Sequence, residues 1–164
     1  DQEGVYTVLN NTLIEILAGA SDEVIHYHIH PEKTLRGLSD PPVSQGSDPS
    51  DLTLAQWALP SDVDLFTSLI YACDITLQFP GKRIRFKVAS PAGIVEYAPL
   101  RNTFEEMCSK DFPQRRNAFR DAVRDTFFSW DMKDISQRLA SARAAGASSS
   151  LYLGDYFRLE FKGY

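Results

Sequence analysis

Three histidines stand within five residues, in Glu23-Val24-Ile25-His26-Tyr27-His28-Ile29-His30-Pro31-Glu32, and the chain holds no others. Side chains at i, i+2 and i+4 of an extended strand point the same way. His26, His28 and His30 therefore share one face of a strand expected at 23–30, with Ile25, Tyr27 and Ile29 on the other. Imidazoles at that spacing can bind one divalent transition metal, and Glu32 is near enough in sequence to add a carboxylate. A complete site needs ligands from elsewhere, such as Asp74 or Cys108. Three neighbouring imidazoles also repel one another when protonated, which would make the strand responsive to pH. The plainer reading is a solvated strand face rich in imidazole, and it is the favoured one.

Basic residues form the second kind of candidate. Arg83, Arg85 and Lys87 alternate with Ile84, Phe86 and Val88, so a strand here has one charged and one apolar face. That charged face is expected to dock a protein with an acidic surface, helped by Trp57 as an aromatic anchor. Arg115, Arg116, Arg120 and Arg124 form a ridge on a later helix, with Arg116 and Arg120 as further contact candidates. Asp121 and Asp125 interleave with them at spacings that allow intrahelical pairs. Acids dominate residues 1–80, twelve against Lys33 and Arg36, whereas residues 81–164 carry fifteen bases and ten acids. A pI of about 5.1 is unlike a nucleic-acid footprint, so RNA or polyanion binding ranks last.

The elements that would position these groups follow from periodicity. Residues 4–19 read as a helix, with Val5, Leu9, Leu13 and Ile16 at helical spacing. Residues 39–51 shift to Ser, Asp, Pro, Gly and Gln, a flexible acidic loop. Leu52 to Leu59 fits either a short helix or a strand. Tyr71, Cys73, Ile75, Leu77 and Phe79 alternate with Asp74, Thr76 and Gln78, which predicts a strand. Pro80-Gly81-Lys82 would turn it into a hairpin with 83–88. A short strand at 94–97 follows Pro91-Ala92-Gly93. Thr103 with Glu106 fits a capping box, Pro113 suits a first helical turn, and a further helix is expected at 131–145. Gly154-Asp155 separates 151–153 from 156–161 as a closing hairpin. The fold class is α+β: an antiparallel sheet, meander plus C-terminal hairpin, with an N-terminal helix and a C-terminal helical layer covering one face.

A length of 164 residues, 43% hydrophobic and 24% charged, suits one globular domain spanning 1–164. No run of 18 apolar residues offers a membrane span. The chain begins at Asp1, so targeting information is taken as trimmed away, and a soluble, intracellular setting is favoured. Cys73 and Cys108 are expected as buried free thiols. Nucleophile elbows, dinucleotide and phosphate loops and Cys-x-x-Cys pairs are absent.

Two resemblances are local. His28-Ile29-His30-Pro31-Glu32 resembles the His-x-His metal motif of cupins, without that family's later histidine. The order of helix, meander and helices around Ile75-Thr76-Leu77-Gln78-Phe79-Pro80, Ile84-Arg85-Phe86 and Ser90-Pro91 is similar to ubiquitin-conjugating and RWD-type domains, without their His-Pro-Asn signature. The function favoured is a non-catalytic interaction domain or assembly subunit with no cofactor, docking through the basic strand and the acidic loop. The alternative is a small metal-dependent enzyme or metal-binding protein using His26, His28 and His30.

Overall fold

A computed structural model of the chain describes residues 23–38, 42–79, 81–108 and 112–163. The helix expected at 4–19 lies outside them. Strands β1 (Glu23–Ile29), β2 (Arg83–Ser90), β3 (Gly93–Pro99), β4 (Ser148–Leu153) and β5 (Phe157–Gly163) form one sheet, ordered β1-β2-β3-β5-β4. The fold is α+β and its pairings are mostly antiparallel, but β1 runs parallel to β2. A parallel neighbour needs a crossover, and α1 (Glu32–Leu38), α2 (Asp51–Ala58) and α3 (Asp62–Gln78) supply it. Helices α4 (Arg101–Met107), α5 (Phe112–Phe128) and α6 (Met132–Ala144) complete the described set.

The core lies between the helices and one sheet face. Phe86, Val88, Val95, Tyr97, Leu151, Leu153, Phe157, Leu159 and Phe161 meet Leu65, Leu69, Ala72, Val123, Ile135 and Leu139, all buried. Each fully buried aliphatic or aromatic side chain contributes about 1.5–3 kcal/mol, so this layer fixes the parity of every strand. Gly93, at φ +152°, lets β3 begin against Phe161, whose ring would lie 2.8 Å from an added Cβ. Gly154, at φ +51°, closes the β4–β5 hairpin as expected.

The hairpin expected from Tyr71 to Val88 is not formed. Residues 71–78 are the second half of α3, and β3 takes the antiparallel place beside β2. Leu65, Ser68, Leu69, Ala72, Cys73 and Ile75 are buried at helical spacing, so the helix uses a stripe that overlaps the alternating one. Ser61 and Asp64 form a reciprocal capping box at its start. The segment 75–80 behind the ubiquitin-conjugating resemblance is therefore helical up to Gln78 rather than a strand. At Thr103 the expected capping box is likewise absent. Helix α4 starts at Arg101, and the buried Thr103 hydroxyl donates to the Asp155 carbonyl at 2.7 Å.

Cys73 and Cys108 are joined in a disulfide, with Cα atoms 5.3 Å apart, so two free thiols give way to a link between α3 and the end of α4. No described helix is long and apolar enough to cross a membrane.

Candidate metal centre

The register of β1 decides what its histidines do. Val24 pairs with Ile84, His26 with Phe86 and His28 with Val88. Phe86 and Val88 are fully buried, so the even-numbered row of β1 faces the helices. The imidazole face is thus turned inward and half-buried, whereas Ile25, Tyr27 and Ile29 are 46%, 49% and 66% exposed. This reverses the expected solvated imidazole face.

Opposite this row stands the start of α3. Its first turn places Asp64 against the end of β1, with Asp64 Oδ2 at 3.6 Å from both His28 Nε2 and His30 Nε2. The two Nε2 atoms are 3.3 Å apart. Three nitrogen and oxygen donors from two elements therefore converge on one point. A tetrahedral ion with bonds of about 2.1 Å would set its ligand atoms about 3.4 Å apart. The observed triangle fits that separation.

Two of the three donors, His30 and Asp64, are held by further bonds. His30 Nδ1 lies 3.1 Å from the Trp57 carbonyl, which only accepts, so Nδ1 carries a hydrogen and Nε2 is the nitrogen left to take an ion. Asp64 Oδ2 accepts from the Ser61 N–H and from the Ser61 hydroxyl, each at 2.8 Å, and the Asp64 N–H returns a bond to Ser61 Oγ at 3.1 Å. A carboxylate has lone pairs to spare for a metal beyond these two.

Electrostatics match the geometry. Burial would raise the Asp64 pKa, but the bonds from His28 and His30, the His28 charge and the Ser61 N–H hold it far below the ordinary carboxylate value. Burial would lower His30, yet the Asp64 and Trp57 bonds and the Asp64 charge keep it above its ordinary value. Without a metal, a proton on His30 is the natural counter-ion. His26 is lowered, by burial first and by His28 second, against a smaller pull from Asp64. Its Nδ1 is buried with no hydrogen-bond partner among the described residues, and its ring lies 6.0 Å from Tyr71 and 5.8 Å from Phe86.

His28 and His30 thus come together, and His26 stands one step away. Glu32 does not join them, because its carboxylate pairs with Arg36 one turn along α1. Of the other ligands weighed, Cys108 is in the disulfide and the Asp74 side chain lies outside the described ones. Asp64 is not among the ligands expected from the sequence. Its only local sign is Ser61-x-x-Asp64 ahead of an apolar run, the mark of a helix start.

The expected docking residues are dispersed. Arg85 pairs with Glu23 at 3.1 Å and Glu96 at 3.0 Å, and Lys87 pairs with Glu96 at 3.2 Å, on the sheet face away from the helices. Trp57 is 3% exposed with the Arg36 guanidinium over its ring, so it serves as core and not as an anchor. Arg120 and Arg124 each lie 3.5 Å from Asp121. The side chains of Arg83 and Arg116 lie outside the described ones. In the acidic loop, Arg36 donates to the Ser44 and Ser47 carbonyls, and Ser50 caps α2.

Beside the three donors a cleft of about 340 Å³ runs between β1 and α3, walled by His26, His28, Asp64, Thr67, Tyr71 and Tyr97 among others. No protein-family model matches the chain, and neither curated proteins nor solved structures show a match to it.

Proposed function

We propose that the protein binds one divalent transition metal, zinc foremost, through His28 Nε2, His30 Nε2 and Asp64 Oδ2. The supporting observation is the triangle of 3.3, 3.6 and 3.6 Å formed by those atoms, with each distance near that required by a tetrahedral ion. Three protein ligands leave a fourth position free, and the cleft adjoins it. Two histidines and a carboxylate are the donor set of zinc sites that activate water or polarise a carbonyl. The Cys73–Cys108 bond supports an oxidising compartment in place of the intracellular setting favoured from sequence.

Elemental analysis of untagged protein, followed by zinc titration of chelator-treated material, tests this. One equivalent of zinc should bind, and His28→Ala or Asp64→Ala should abolish it. Absence of stoichiometric uptake at neutral pH refutes the proposal. Docking of another protein, the function favoured from sequence, stays as a second reading because Ile25, Tyr27 and Ile29 form an exposed apolar row on a terminal strand of the sheet. Under it, Tyr27→Glu abolishes any complex that the native protein forms and leaves zinc uptake unchanged.

A further inference from the structure

We infer, resting on the metal reading, that the cleft beside His28, His30 and Asp64 receives a small carboxylate with an apolar body, one carboxylate oxygen taking the open position of the ion. Asp64, Thr67, Ser68 and Tyr71 stand at i, i+3, i+4 and i+7 of α3 and so form one stripe along a single helix face. That stripe faces β1, whose His26, Tyr27, His28 and Ile29 form the other wall of a half-open cleft. Its volume of about 340 Å³ falls at the small end of ligand sites. The occupant is therefore a small molecule.

Charge selects its class. A divalent ion bound by neutral imidazoles and the Asp64 carboxylate carries one net positive charge, which a monoanion neutralises. None of the residues lining the cleft is lysine or arginine. A phosphate, with close to two negative charges, lacks the cations that usually hold it. The walls supply what a carboxylate uses. The Thr67 and Tyr71 hydroxyls are donors for its second oxygen, while Val63 and the Tyr71 and Tyr97 rings offer apolar contact to its body. Ser68 donates to the Leu65 carbonyl at 2.7 Å and is bonded to the buried Tyr97, so that part of the floor is fixed before a ligand arrives.

Cobalt(II) loaded in place of zinc reports its own coordination through its visible absorption. Titrating the cobalt protein with benzoate should change the spectrum saturably, and inorganic phosphate should act at least tenfold more weakly. Combining Thr67→Val with Tyr71→Phe should weaken benzoate by at least about a hundredfold, the worth of two hydrogen bonds to a charged group, and leave cobalt affinity unchanged. A spectrum unmoved by benzoate on fully cobalt-loaded protein overturns the carboxylate site and leaves the metal centre standing. Phosphate binding more tightly than benzoate overturns the assignment of class, and unchanged benzoate binding in the double variant overturns the role of the hydroxyls. Failure to take up cobalt at all overturns the metal centre and the carboxylate site together.

Discussion

Asp64 does two jobs with one carboxylate, and they can be separated. It closes the capping box of α3 with Ser61, and among the described residues it supplies the only acidic donor to the two imidazoles. Loss of a capping side chain costs about 1 kcal/mol. Ser61→Ala removes the Oγ bonds to and from Asp64 but keeps the Ser61 N–H bond to Oδ2. It should lower stability by about 1 kcal/mol, a fall of about 2–4 °C in Tm for a chain of this size. Because Ser61 also aims the carboxylate, zinc affinity should fall by about tenfold, the lower end for partners of metal ligands. Asp64→Asn keeps an oxygen that accepts from the Ser61 N–H and loses the charge. Its cap should therefore survive in part, while zinc affinity should drop by at least about a hundredfold.

Unfolding in urea with a chelator present gives the capping contribution. Competition against a chromophoric chelator at pH 7.5 gives the zinc affinity. Zinc at a hundred times Kd should add about 2.7 kcal/mol to the wild type and almost nothing to Asp64→Asn. Wild-type zinc affinity in both variants would refute the site, whatever their stabilities.

In metal-free protein the two perturbed imidazoles act in opposite directions. His30, raised, stabilises fully below pH 6.5 and loses that contribution as pH rises through its folded value; His26, lowered, stabilises above pH 6.5 and loses it as pH falls. Relative to wild type, His26→Phe should gain stability between pH 7.5 and 5 and His30→Gln should lose it, and urea titrations parallel to wild type would refute both assignments. The disulfide closes a separation of 35 residues, so reduction should cost about 3–4 kcal/mol on loop entropy, and a non-reducing peptide map with two free thiols would refute the link. Gly93→Ala should destabilise by about 3 kcal/mol because its Cβ meets the Lys162 backbone oxygen first and the Phe161 ring second, whereas Gly37→Ala in α1, with nothing within 4 Å, should stabilise by up to about 1 kcal/mol in thermal unfolding.

Much of the sheet is legible from residue order. Period-two alternation marks β1, β2 and β5, and Gly154-Asp155 marks the closing hairpin because a positive φ is required there. Helix α3 is the exception, and the reason is physical. From Leu65 to Phe79 apolar residues are dense enough to satisfy both the two-residue and the 3.6-residue period, so periodicity alone does not choose. The choice lies in length and in the cap. Seventeen residues exceed an ordinary strand, and Ser61-x-x-Asp64 satisfies free amides that a strand would not have. Reading that segment as a strand took β2's antiparallel partner from the wrong place and hid Asp64, since a capping carboxylate has meaning only once the helix is recognised.

The candidate metal centre is half visible in the sequence for a related reason. Alternation puts three imidazoles on one face but is silent about which face the core takes. Apolarity argues for turning Ile25, Tyr27 and Ile29 inward, and a one-residue slip of β1 would do it, at about 1.5–3 kcal/mol for each side chain fully buried. The structure forgoes that burial. What holds the other register is Val24, packed inward at 8% exposure, with the His30 bond to the Trp57 carbonyl and the contacts of both Nε2 atoms with Asp64. Those polar contacts are worth only about 0.5–3 kcal/mol each. Apolar groups left outside and imidazoles drawn inside are a local conflict of the kind that marks functional sites. A bound ion adds its free energy to the histidine-inward register alone, because the slipped strand would carry the imidazoles to the face opposite Asp64. On the proposed metal reading, ion binding and the choice of strand face are one equilibrium, and the inward histidines are the part of the fold that the ion would stabilise most.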